Sequence, residues 1–238
     1  MTSPSAPRAP EANGSRALVV NLLITGLCRL VLNTARRFAY PFAPEIGRGL
    51  GVPITHVSAM LAVNQFSGVL GLLVGPLADR YGFRVTMLSG MLLLTAGMLA
   101  AAVNTTYLTV LGALFLAGLA KNVFDPAIQA YVGEHVPYRR RGLVVGLIET
   151  SWAGSTLVGV PLVGILIANY GWQQPFLVLG LLGLLGIAAI RWGLPADRRH
   201  GGKAITAVDL ITAWGQLAQS RAARAVLALG FLVSMAND

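Results

Sequence analysis

Polar residues recur at fixed intervals along an apolar stretch near the N-terminus: Asn21, Thr25, Arg29, Asn33 and the Arg36–Arg37 pair. Steps of four, four, four and three or four residues place them on one face of a helix. A guanidinium in hydrocarbon costs at least ~2.5–3.5 kcal/mol on insertion scales, so such a face has to line a cavity or meet an acid. Arg29 is the residue expected to hold an anionic solute group or a charge partner. Arg36 and Arg37 lie nearer the far end, where long side chains can snorkel. A second polar face carries Lys121, Asp125 and Gln129 at i, i+4 and i+8, and a third stretch carries Glu149 near Trp152 and Thr156. Two acids and a cation at similar depth form an expected paired cluster. Glu149 is the first choice for a carboxyl that takes up a proton. Asp125 is expected to pair with the basic segment that follows the second apolar stretch. Asn64 and Gln65 either contact a solute or bond across helices.

These residues sit in a chain that water could not hold folded. Of 238 residues, 55% are hydrophobic and 11% are charged, where soluble domains run near ~25% charged. Mean hydropathy is +0.68. About 20 apolar residues cross a ~30 Å hydrocarbon core as a helix, and six stretches are long enough: 17–40, 54–77, 85–103, 107–130, 143–168 and 175–192. A seventh apolar run over 225–238 is too short for a full span, and 193–224 reads as a polar connector between two bundles. Residues 1–16, rich in Pro and Ser, read as disordered. Together these segments predict an all-α membrane protein, with the six-span bundle over 17–192 and a partial seventh helix.

The net charge of +9 is explained by where the charges fall, not by nucleic acid. With the N-terminus inside, thirteen of the 18 Lys and Arg lie on the cytoplasmic side, against Arg48 alone outside. Cys28 is the single cysteine, and His56, His135 and His200 lie far apart, so neither a disulfide framework nor a metal centre is expected. No phosphate-binding loop and no nucleophile elbow occur, so no cofactor and no enzymatic activity are expected.

An internal echo sets the architecture. Gly75-Pro-Leu-Ala-Asp-Arg-Tyr-Gly-Phe83 ends the second span, and Gly164-Ile-Leu-Ile-Ala-Asn-Tyr-Gly-Trp172 ends the fifth. The offset is 89 residues, with Gly, Leu, Tyr, Gly and an aromatic in register. Spans two and five leave on opposite faces, which is the mark of an inverted three-plus-three repeat.

The segment Gly75–Arg84 also resembles the loop 2–3 signature of the major facilitator superfamily. Gly75, Asp79, Arg80, Gly82 and Arg84 match, and Phe83 stands where a basic residue is usual. Arg141-Gly142, after a basic loop, is a weaker resemblance. Gly154, Gly159, Pro161 and Gly164 resemble the glycine–proline helix-packing motif of antiporters in that superfamily, with Val160 between its Gly and Pro. Leu114 stands where such antiporters often carry Arg. The resemblance implies a secondary active transporter of a small molecule in a lipid bilayer, working by alternating access, with protons as a second partner and loop 2–3 as a gate. It implies a bacterial cytoplasmic-membrane exporter whose second six-helix half lies outside this sequence. The alternative from another class is a non-transporting membrane subunit or scaffold, or an inactive truncated product.

Overall fold

A computed structural model describes residues 12–195. The expected connector past 195, the partial seventh helix and residues 1–11 lie outside the described residues. So do the side chains of 12–17 and of 69–80, the latter including the motif residues Gly75, Asp79 and Arg80. Eight α-helices run through the described residues: α1 (Ala12–Arg37), α2 (Ala43–Leu50), α3 (Ile54–Tyr81), α4 (Phe83–Val103), α5 (Tyr107–His135), α6 (Tyr138–Gly154), α7 (Val160–Tyr170) and α8 (Gln174–Gly193). A π-helical turn, Ser155–Gly159, joins α6 to α7.

The apolar run lengths account for this order. Five membrane-length apolar helices are present: Leu18–Arg37, Phe83–Val103, Tyr107–His135, Tyr138–Tyr170 and Gln174–Gly193. The helix α3 has 28 residues, about 42 Å at 1.5 Å per residue, and a sixth span is reached when α2 and the start of α3 are taken together as one bent pair. The short α2 falls in the stretch between the first two expected spans, where the sequence points to a loop. It meets the start of α3 at 119°, so it lies across the bundle end. Its cues are local. Pro44 falls at the first helical positions, and Gly51 stops the helix in the left-handed conformation at φ 66°, the usual Pro-in, Gly-out pairing.

The repeat is written into both backbone and packing. Gly82 and Gly171, 89 residues apart, are equivalent in the echo. Gly82 has φ 87° and ψ 160°, and Gly171 has φ 95° and ψ 162°. Only glycine takes up that region without strain. The aromatic after each turn packs edge-on against other rings, on different partners: Phe83 against Tyr131 and His135 of α5, and Trp172 against Phe176 in the helix it leads into. Helix neighbours follow the same exchange. The helix α3 packs on α5 as α6 packs on α1; α4 packs on α5 as α8 packs on α1; α4 with α8 and α1 with α5 pair with each other. Swapping the two halves leaves this pattern unchanged, as an inverted repeat requires.

The core lies along α4, where Met87, Met91, Leu94 and Met98 are fully buried at helical spacing. The helix α8 approaches α4 through Gly180, Gly183 and Gly186, where an added Cβ would run into Leu99, Thr95 and Met91. Small residues at helix contacts are how membrane helices gain close packing. The Gly142/Gly146 pair has the same kind of spacing, but a Cβ added at either would meet nothing within 4 Å, so it takes no part in this packing.

Candidate functional site

The polar face of α1 is a seam against three other helices. At its N-terminal end Asn21 is buried, and the Thr25 hydroxyl donates to the Asn21 carbonyl at 3.0 Å. The Thr25 hydroxyl is thus consumed by structure. One turn on, Arg29 is 7% exposed and has all its charge answered. Its Nε donates to Asp125 Oδ1 at 3.0 Å, its Nη2 meets Glu149 Oε1 at 2.9 Å, and its Nη1 donates to the Ile148 carbonyl at 3.1 Å. Helical side chains lean toward their own N-terminus, so the guanidinium lies a turn below its Cα. Asp125 is also paired with Lys121 on its own helix.

The result is a four-membered cluster, Lys121–Asp125–Arg29–Glu149, of two cations and two anions drawn from α1, α5 and α6. Buried charges are tolerated only when paired and hydrogen-bonded in this way. Asp125 sits between two cations, while the Glu149 side chain is 49% exposed and meets Arg29 alone among the described residues. Among the described residues Asp125 is held by Arg29 and Lys121 within the bundle; its expected partnership with the basic segment before α4 falls on side chains, Arg80 among them, outside the described residues. Gln129 is exposed and stands apart from the cluster.

Toward the C-terminal end of α1 the partners change. Asn33 Nδ2 donates to Ser151 Oγ at 3.4 Å, while its buried Oδ1 has no hydrogen-bond partner. Arg36 Nη2 donates to Gln65 Oε1 at 2.8 Å. Arg37 Nη1 donates to Thr156 Oγ1 at 3.1 Å, and its guanidinium lies 4.3 Å from the Trp152 ring centroid. Of the two alternatives for Asn64, a solute contact or a bond across helices, the geometry has the second, and the residue is fully buried. Its Nδ2 donates to the Leu114 carbonyl at 2.6 Å and ties α3 to α5 beside Gly118, where an added Cβ would strike Ser67 and the Asn64 carbonyl.

The glycine–proline series faces α1. A Cβ on Gly154 would meet Leu30, one on Gly159 would meet Thr34, and one on Gly164 would meet Phe42. Five residues along an α-helix turn the chain 140° past a full revolution, yet Gly154 and Gly159 share a face. The π turn between them absorbs the extra residue. Pro161 supplies its cause, since its ring clashes with the carbonyl four residues back and it has no N–H to give. The sequence marks these residues but not the turn.

In the gate motif, Gly82 makes the turn described above, and Arg84 Nη2 donates to the Arg191 carbonyl at the end of α8. Arg141 does the same for α5, donating to the Val136 carbonyl at 3.0 Å and the Gly133 carbonyl at 2.6 Å. Cations on helix C-terminal carbonyls satisfy orphan acceptors and the helix dipole together. Among the described residues no cluster of metal-ligating side chains occurs.

Five membrane-length helices, six spans with the bent α2–α3 pair, pack as an inverted repeat with a charge cluster drawn from α1, α5 and α6. The chain belongs to the Major Facilitator Superfamily, whose family description matches residues 25–237. It is 30% identical to the multi-drug resistance efflux pump PmrA homolog of Lactococcus lactis over 169 residues, 68% of this chain and 41% of that protein. It is 27% identical to the 4-hydroxybenzoate transporter PcaK of Pseudomonas aeruginosa over 66% of this chain and 36% of that protein. The crystal structure of peptide transporter POT in complex with sulfate shares its fold, with a TM-score of 0.68 at 19% identity, covering 98% of this chain and 49% of that one. The chain thus spans about two-fifths of the length of these curated relatives. It is an integral membrane protein of a transporter family, not an enzyme.

Proposed function

We propose that the protein is a secondary active transporter that moves a small molecule by alternating access, exchanges it for protons and works as an exporter. In this reading it lies in a bacterial cytoplasmic membrane with its N-terminus inside, and substrate binds between this bundle and a second one. The observation that carries the proposal is Arg29, buried between Asp125 and Glu149 on two different helices. A bundle needing only rigidity gains little from buried ions, because well-packed apolar residues do as well or better. A movable pairing is another matter. A proton on Glu149 removes the charge facing Arg29 and frees α6 from α1, and the π turn above it lets the two parts of that span shift separately. Asp125 stays paired with both Arg29 and Lys121 meanwhile, and the cluster then carries one positive charge in excess. Exchange for protons, rather than symport, is favoured by the glycine–proline series and by the efflux-pump relative.

The test is proton movement. The native gene product is reconstituted with the pH dye pyranine inside, and solutes are added under an imposed pH gradient. At least one solute is expected to discharge the gradient with wild-type protein. Glu149→Gln should exchange that same solute without moving protons. Proton flux in Glu149→Gln equal to wild type would remove Glu149 from the mechanism, and no flux with any solute would remove the transporter reading.

A further inference from the structure

We infer, resting on the transporter reading above, that Arg36 and Arg37 hold the anionic group, carboxylate or phosphate, of a small organic anion that is the transported solute. Charge accounting along α1 carries this. Arg29 is matched by two carboxylates and has no charge left for a solute. Arg36 and Arg37, two turns on, have no carboxylate partner among the described residues. At that end of the bundle the described acid is Glu45, which is 3.0 Å from Arg48.

The partners that Arg36 and Arg37 do have are neutral. Gln65 and Thr156 each accept one hydrogen bond, and Trp152 lies under the Arg37 guanidinium. Such contacts fix the orientation of a guanidinium and leave its charge uncompensated. Each fork carries five N–H donors suited to bidentate grip on a planar carboxylate or a phosphate. Both side chains reach toward other helices of the bundle, Arg36 to α3 and Arg37 to the α6–π segment, on a face that the described residues leave open. One turn deeper, buried Asn33 Oδ1 lacks a partner, an acceptor for a hydroxyl or N–H carried by the solute once α1 and α6 move. Trp152, 46% exposed, offers a flat apolar wall beside the pair.

The experiment uses the native gene product in vesicles of phosphatidylcholine alone and of phosphatidylcholine with phosphatidylglycerol. Its probes are benzoate, phenyl phosphate, neutral benzamide and cationic benzyltrimethylammonium, compared by uptake and counterflow. Benzoate or phenyl phosphate should be carried, and benzamide and the cation should not. Arg36→Gln/Arg37→Gln should raise the half-saturating anion concentration at least tenfold, and Arg36→Lys/Arg37→Lys should recover part of that loss. Transport of the neutral or cationic probe, with the double variant unaffected, overturns the inference while leaving a transporter. A tenfold effect that tracks phosphatidylglycerol and not the soluble anion also overturns it, because the arginines then hold lipid headgroups. No carriage of any probe by wild type overturns it, and the pyranine assay with its wider solute range decides whether the transporter reading falls too.

Discussion

Arg29 and the Arg36–Arg37 pair share one helix face and one residue type, yet they live in opposite electrostatic circumstances. Arg29 is buried and doubly matched by carboxylates from α5 and α6. Arg36 and Arg37 are half-buried and oriented by an amide, a hydroxyl and an indole. A cation in a membrane bundle is thus not one kind of residue. Where its charge is answered internally, its natural role is to hold helices together or let them go. Where it is oriented but unanswered, it is available to something that arrives. The cost of deleting a partner should follow the same division.

The sharpest way to break the comparison is to remove the acid shared by two cations. Asp125→Ala leaves Arg29 with Glu149 alone and Lys121 with no acid among the described residues. Loss of one partner of a buried pair costs about 3–5 kcal/mol, and the variant should lose its monodisperse peak in fluorescence-detected gel filtration after mild heating. Restoring neutrality with Asp125→Ala/Lys121→Met should bring part of that stability back. If the double variant is less stable than the single one, the cluster is not held by charge balance.

Much of the fold is legible because it follows from run length and from an echo. Five of the six apolar stretches return as membrane-length helices and the sixth within the bent α2–α3 pair, and the 89-residue offset reappears as matching φ and ψ at Gly82 and Gly171. The site is legible only by helix face. Spacing sets Arg29 on the same side as Asn33 and Arg36, and Lys121 on the same side as Asp125, but nothing local says how two helices are rotated toward each other. Arg29 and Asp125 are 96 residues apart, which is why the spacing leaves Arg29 open between a solute and a charge partner and does not name Asp125 as that partner. The choice at Asn64 between a solute and a bond across helices is open in the sequence for the same reason, since only the close approach at Gly118 brings the Leu114 carbonyl within its reach. The π turn is unreadable because a proline and nearby glycines are compatible with a kink, a bulge or a break. The helix α2 carries the usual start and stop residues but is too short for its periodicity to stand out.

An intermediate effect is expected at Glu149. Its side chain is half-exposed and holds one cation, so Glu149→Gln should cost under about 1 kcal/mol, as exposed pairs do. The amide still accepts a hydrogen bond from Arg29. An apparent Tm close to wild type, together with lost proton movement, would separate coupling from folding. A thermal loss as large as that of Asp125→Ala would make Glu149 a structural lock instead.

The smallest effect belongs to the unanswered cations, and its smallness is the point. Arg37→Gln gives up a cation–π contact of about 0.5–1 kcal/mol at an exposed site, but it strands no opposing charge and relieves the bundle of a guanidinium that no acid among the described residues neutralises. Arg36→Gln likewise leaves Gln65 with an amide to bond. Each variant should stay within about 1 kcal/mol of wild type in thermal stability, in either direction. A loss approaching that of Asp125→Ala would mean that a carboxylate lying outside the described residues answers Arg36 or Arg37. The two ends of α1 would then differ in depth alone, not in kind.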